Sequence, residues 1–193
     1  MKNKRLRLKA LIILSFAICF PPALSAPIPA AADMSGHGGM VRALDVSADG
    51  LRVLSGSFDF TARLWNFSEQ TEIGVLDAHA GPVTSVAFVG NGDRALTASD
   101  DMTAILWDLK TLKPLKRLIG HGHKIMGLAV TKDGKRAATG SWDKTVRLWD
   151  LGRGETIKIF RASSPVNAVT FVDGGKILIA GSHDGKIRVW NTE

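Results

Sequence analysis

The chain has 193 residues, 45% of them hydrophobic and 22% charged, with 20 glycines, one cysteine and a formal net charge of +7. This balance excludes an intrinsically disordered chain and fits one globular unit rich in turns. A lone cysteine excludes a disulfide framework within the chain.

The first element is basic, then apolar. Lys2, Lys4, Arg5, Arg7 and Lys9 supply five of the seven net charges, and no acidic residue precedes Asp33. The apolar run Ala10 to Phe20 follows, then Pro21 and Pro22, then small residues at Ala23 to Ser25 and Ala30 to Ala32. This is the layout of a secretory signal peptide over residues 1–32, with cleavage near residue 25 or 32. An uncleaved membrane anchor is the alternative, but the run is shorter than the ~20 residues a spanning helix needs. Ile18 precedes Cys19 where a bacterial lipoprotein signal wants a small residue, so lipidation is not expected. A chain beginning at Asp33 keeps a net charge of +2 and no cysteine. The basic balance therefore belongs to the export signal, and a nucleic-acid partner loses its support. Thiol nucleophiles and zinc–cysteine sites are excluded with the cysteine. The expected location is periplasmic or secreted, with the membrane involved only through the signal.

From residue 33 the chain repeats itself. Trp65, Trp107, Trp149 and Trp190 each fall 28 residues after the start of a similar line, at His37, His79, His121 and Ala162, with offsets of 42, 42 and 41. The repeats span about 36–77, 78–119, 120–161 and 162–193. In the first, "VRALDVS", "RVLSGS" and "TARLWN" alternate apolar and polar residues, and a fourth run, "TEIGVLD", leads into the next line. Turn pairs at Asp49-Gly50, Asn91-Gly92, Asp133-Gly134 and Gly174-Gly175 separate the first two runs, and a second turn lies around Asp59, Asp101, Asp143 and Asp184. Alternation at a period of two between such turns predicts antiparallel hairpins. The expected fold class is all-β, with fifteen strands in four-stranded antiparallel units.

The pairs Gly36-His37 and Gly120-His121, the Ala78-His79 variant, the Trp-Asp or Trp-Asn endings, and the spacing of Ser55 to Asp59, Thr97 to Asp101 and Thr139 to Asp143 resemble the WD40 repeat family over about Ser35 to Asn191. The resemblance implies a β-propeller of four repeats, partial or small, over residues 33–193. It also implies a buried hydrogen-bonded tetrad in each blade: His37, Ser55, Asp59 and Trp65; His79, Thr97, Asp101 and Trp107; His121, Thr139, Asp143 and Trp149. In the fourth line Ala162 and Ala180 replace the His and the Ser or Thr, leaving Asp184 and Trp190. A His, a hydroxyl and an Asp also make a hydrolase triad, but this trio recurs three times in register and catalysis needs it once. Phosphate-binding and nucleophile-elbow motifs are missing from the sequence, and the histidines do not cluster with other ligands. No catalytic residue, metal or cofactor is expected.

By the same resemblance, three positions per blade face the top surface: Met40, Arg42 and Phe58; Pro82, Thr84 and Asp100; Lys124, Met126 and Trp142; Pro165, Asn167 and His183. Large apolar residues at the turn positions of Phe58 and Trp142 point to a contact patch with Met40, Met126 and Arg42. Four repeats leave ring closure open between a four-bladed ring, two chains forming one eight-bladed ring, and a piece of a longer product; the last two are favoured. The expected function is a non-catalytic exported scaffold that binds protein through its top face, with self-association or a companion half-propeller as further partners. The loops also resemble exported bacterial WD40 proteins whose propeller precedes a c-type cytochrome domain. That alternative is a sensor or docking module, and no haem-attaching C-x-x-C-H occurs in this sequence.

Overall fold

The computed structural model describes residues 33–193, so the expected signal peptide lies outside the described residues. Fifteen strands form four antiparallel sheets, or blades. Blade one holds β1 (Val41–Val46), β2 (Arg52–Ser57), β3 (Ala62–Asn66) and β4 (Thr71–Leu76). Blade two holds β5 (Val83–Val89), β6 (Arg94–Ser99), β7 (Ala104–Asp108) and β8 (Lys113–Leu118). Blade three holds β9 (Ile125–Val130), β10 (Arg136–Ser141), β11 (Thr145–Asp150) and β12 (Glu155–Arg161). Blade four holds only β13 (Val166–Val172), β14 (Ile177–Ser182) and β15 (Ile187–Asn191). Strands are neighbours in chain order because each is joined to the next by a short turn.

The core lies between the blades. Leu54, Ala62 and Leu64 of blade one close on Val83, Val86 and Trp107 of blade two. Leu96, Ala104 and Leu106 of blade two close on Ile125 and Trp149 of blade three. Ala138, Val146 and Leu148 of blade three close on Val166 and Leu178 of blade four. Alternation puts one face of each strand into each of these layers, and burial of that apolar area drives the stacking.

The innermost strand of each blade packs on that of the next, β1 on β5, β5 on β9 and β9 on β13. Among the described residues no such packing joins β13 to β1, so four blades form an open arc. Each inner strand carries a register shift near its start, at Val41/Ala43, Val83/Ser85, opposite Gly140/Ser141 and at Val166/Ala168. The skipped residues are Arg42, Thr84, Met126 and Asn167. Such a bulge re-aims its side chain out of the regular alternation.

Candidate functional site

The repeated tetrads are hydrogen-bonded chains. In blade one His37 Nδ1 lies 2.8 Å from Asp59 Oδ2, His37 Nε2 lies 2.7 Å from Ser55 Oγ, and Trp65 Nε1 donates to Ser55 Oγ at 2.8 Å. Blade two repeats this with His79 to Asp101 at 2.8 Å, His79 to Thr97 at 2.7 Å and Trp107 to Thr97 at 2.9 Å. Blade three has His121 to Asp143 at 2.7 Å, His121 to Thr139 at 2.8 Å and Trp149 to Thr139 at 2.7 Å. One assignment of donors satisfies every contact. The indole N–H donates to the hydroxyl, the hydroxyl donates to Nε2, and Nδ1–H donates to the carboxylate, which fits a neutral imidazole and an ionised Asp.

The carboxylates are held by more than histidine. Burial alone raises the pKa of Asp143, but hydrogen bonds from the Thr145 hydroxyl, the Gly122 N–H and His121 outweigh it and lower it to about 2. Burial likewise opposes, and donors from Thr61, His37 and Gly38 or from His79, Thr103 and Ala80 override, so that Asp59 and Asp101 stay well below the usual carboxylate range. The His121 imidazole is pushed down chiefly by burial, against the pull of Asp143.

The order Asp–His–hydroxyl is that of a hydrolase triad, but the hydroxyls are spent. Ser55, Thr97 and Thr139 are buried, and each accepts an indole N–H inside the blade, out of reach of a substrate. A nucleophile must be reachable and must have a free lone pair. The sets are structural, and the chain is not an enzyme through them. No group of three or more His, Cys, Asp or Glu fit to hold a metal occurs among the described residues.

Blade four finds different partners for Asp184. Arg188 donates to both of its oxygens and Ser163 Oγ donates to Oδ2 at 3.1 Å. This ion pair, with the Ser163 hydroxyl, lowers the pKa of Asp184 well below the ordinary range. Ser163 occupies the position of Gly122, whose N–H serves Asp143. Trp190 packs on Phe160 with ring centroids 5.4 Å apart. Sequence reasoning missed Ser163 and Arg188; the replacement of His by Ala162 was the available signal that Asp184 needed another donor.

The top-face positions share one backbone arrangement. In every blade the N–H of the turn residue bonds to a carbonyl just before the inner strand: Phe58 to Met40, Asp100 to Pro82, Trp142 to Lys124 and His183 to Pro165. Each turn side chain therefore rides on a fixed edge. Around Trp142 the side chains converge. Lys124 Nζ sits 3.8 Å from its ring centroid, His123 lies 5.8 Å away and tilted by 36°, and His183 meets it edge-on at 5.5 Å. The Trp142 indole N–H donates to Asn167 Oδ1 at 3.0 Å, tying blade three to the blade-four bulge. Met126, half-buried, is the bulge residue of the same inner strand that Lys124 precedes.

One expectation needs correction, that for Thr84. Phe58, Met40 and Arg42 are exposed on blade one, and among the described residues no aromatic or cation contact links them to Trp142. Thr84 does not face outward, because it is buried and its bulged hydroxyl bonds to Ala98 O at 3.1 Å and Ile125 O at 2.6 Å. Asp100 is half-buried, with Oδ1 enclosed and lacking a hydrogen-bond partner. His123 was read only as a failed metal ligand. Its position holds glycine in blades one and two, where a Cβ at Gly39 would meet Asp59 N at 2.8 Å and one at Gly81 would meet Asp101 N at 3.1 Å. A histidine at that crowded place was the missed signal.

The sequence profile of the WD domain, G-beta repeat, matches residues 31–66, 70–108, 112–150 and 154–191. No curated protein matches the chain. Four profile matches, each ending at the third strand of a blade, with three blades carrying the complete His–Ser/Thr–Asp–Trp chain, place this protein in the WD40 repeat family.

Proposed function

We propose that this chain is an exported, non-catalytic scaffold that captures a protein partner at the Trp142 cluster. The observation that carries the reading is the convergence of Lys124, His123 and His183 on one half-exposed tryptophan fixed by Asn167. An anchored aromatic ring is an inexpensive contact because little side-chain freedom remains to be lost. The surrounding groups are cationic or protonatable, so the fitting partner segment is an apolar group flanked by carboxylates. Export rests on the sequence of residues 1–32, with its basic start, apolar run and small residues.

Trp142→Ala and Lys124→Glu are each expected to reduce capture of a partner at least tenfold while the thermal midpoint stays within a degree or two. The measurement is affinity capture from an extracytoplasmic extract, quantified beside a melting curve of each variant. Undiminished capture by both variants defeats the reading. Export is checked apart from binding by fusing residues 1–32 to alkaline phosphatase, which is active only outside a bacterial cytoplasm; an inactive fusion removes the export part alone.

A further inference from the structure

Each internal blade interface is built from one motif. Two apolar side chains of an inner strand press into a small residue of the preceding blade's second strand. Val83 and Val86 close on Gly56, where a Cβ would meet their Cγ1 atoms at 2.7 and 2.9 Å. Val166 and Val169 close on Gly140 in the same way, at 2.6 and 2.9 Å. Between blades two and three Ala98 takes the glycine's place in the layer with Ile125 and Leu128. On the far side of each socket lie the third-strand residues Ala62 and Leu64, Ala104 and Leu106, or Val146 and Leu148, all buried.

The two ends of the arc carry the unused halves of this motif. On blade one the projecting residues are Val41 and Leu44, 47% and 67% exposed, at the positions of Val83 and Val86. Blade four carries the vacant socket, with Gly181 at the position of Gly56 and Gly140; a Cβ there would meet only Ala168 Cβ, at 4.0 Å. The socket is an open cavity of about 230 Å³ lined by Ala168, Val169, Thr170, Ile179, Gly181 and Ile187. Its third-strand residues, Ile187 and Val189, are 75% and 61% exposed at positions that are buried in the other blades. The rim is where the ends differ from the internal interfaces. Arg94 and Arg136 reach the turn carbonyls of Gly134 and Gly175 in the next blade, whereas blade four has Ile177 at that place and Gly50 of blade one has open space around it.

We propose that Gly181 and Ile187 of one chain receive Val41 and Leu44 of a second copy, and the reverse, so that two chains close one ring. The argument is continuity with the interface the chain already uses three times. Among the described residues its projecting half and its receiving half are both bare, and the four blades do not bring them together. A head-to-tail contact either closes or grows into a filament. Propellers run from about four to eight blades, so two arcs of the four described blades stay within that range. This inference does not depend on the Trp142 cluster, which lies on the loop-bearing rim and not on the end faces.

The test is the mass of the purified full chain by light scattering across a hundredfold range of concentration, with Leu44→Arg and Gly181→Arg beside it. Both substitutions enter open space in a single arc, and Ile187→Lys replaces Gly181→Arg should that variant not fold. The wild type is expected at twice the chain mass, and each variant at the single-chain mass with an unchanged circular dichroism spectrum. An equimolar mixture of a blade-one variant and a blade-four variant retains one intact contact. It is expected to recover a two-chain species, at concentrations at least tenfold above those the wild type needs, because only the wild type closes a second contact within the same assembly. A single-chain wild type overturns the proposal, as does a mass that grows with concentration. Variants that stay at twice the chain mass, or mixtures that recover nothing, also overturn it.

Discussion

Blades three and four share a packed interface and carry the same third-strand tryptophan, but they secure it differently. Trp149 is buried, and its indole N–H enters a chain that runs through Thr139 and His121 to Asp143. Trp190 is half-buried and leans on Phe160, while Asp184 is left to Arg188 and Ser163 near solvent. The turn serines diverge too: Ser141 accepts the Asp143 N–H at 3.0 Å and donates to His123 O at 2.8 Å, whereas Ser182 Oγ is enclosed without a partner. The difference teaches that the tetrad answers burial. An indole N–H shut away from water needs an acceptor, and a blade whose outer face is open does not shut it away to the same degree.

The largest effect expected of this comparison is at the tryptophans. Trp149→Ala should cost about 3–5 kcal/mol, the range for emptying a buried aromatic site. Trp190→Ala should cost less than half as much, read from urea unfolding followed by circular dichroism. Equal losses would break the comparison, since they would mean that the end blade is as tightly held as the inner one.

Thr139→Val comes next. It keeps the volume but leaves the Trp149 N–H and His121 Nε2 without partners, which should cost about 2–4 kcal/mol at one to two kcal/mol for each orphaned group. Arg188→Ala, which removes the corresponding support from Asp184, should move the midpoint little and lose its effect in high salt, because that pair is exposed and screened. A salt-insensitive loss at Arg188 would show that blade four relies on its ion pair as blade three relies on its tetrad.

The smallest expected effect is the pH response. His121 and Asp143 both hold protons less readily folded than unfolded, His121 chiefly through burial and Asp143 through its donors, which prevail over burial. Unfolding then takes up protons, so stability is full near neutrality and falls with acid. The His121 part is lost as pH drops below 6.5, and the Asp143 part between 3.8 and about 2. Melting curves from pH 8 to 2 should show this decline in the wild type, and Asp143→Asn should lose the part below pH 3.8. A midpoint that rises on acidification would reverse the assigned charge states.

The tetrads were legible because their members lie at constant separations of 18 and 22 residues within one blade, with the tryptophan ten residues beyond the hydroxyl. The strands were legible for the same reason, since alternation and turn chemistry are local. Thr84 shows where that reading stops. Its position aligns with Arg42, Met126 and Asn167, yet the hydroxyl turns inward to the Ile125 carbonyl of blade three. Which way a bulged residue points depends on the neighbouring sheet and not on its own strand. The left-handed turn residues Phe60, Met102 and Lys144 were equally hidden, because only blade four places a glycine, Gly185, at that position.

The sequence by itself determined the repeat, the all-β class, the order of the strands and the three hydrogen-bonded tetrads. The repeat and the strands are local patterns that periodicity encodes, and the tetrads followed from the family resemblance of residues at fixed spacing inside one blade. Only the tertiary structure decided that Trp142 gathers residues from blades three and four, that Asp184 takes Arg188 in place of histidine, and that Leu44 and Ile187 stand bare. The physical reason is that an apolar strand face looks alike in every repeat, and whether it is covered depends on whether another sheet stacks against it.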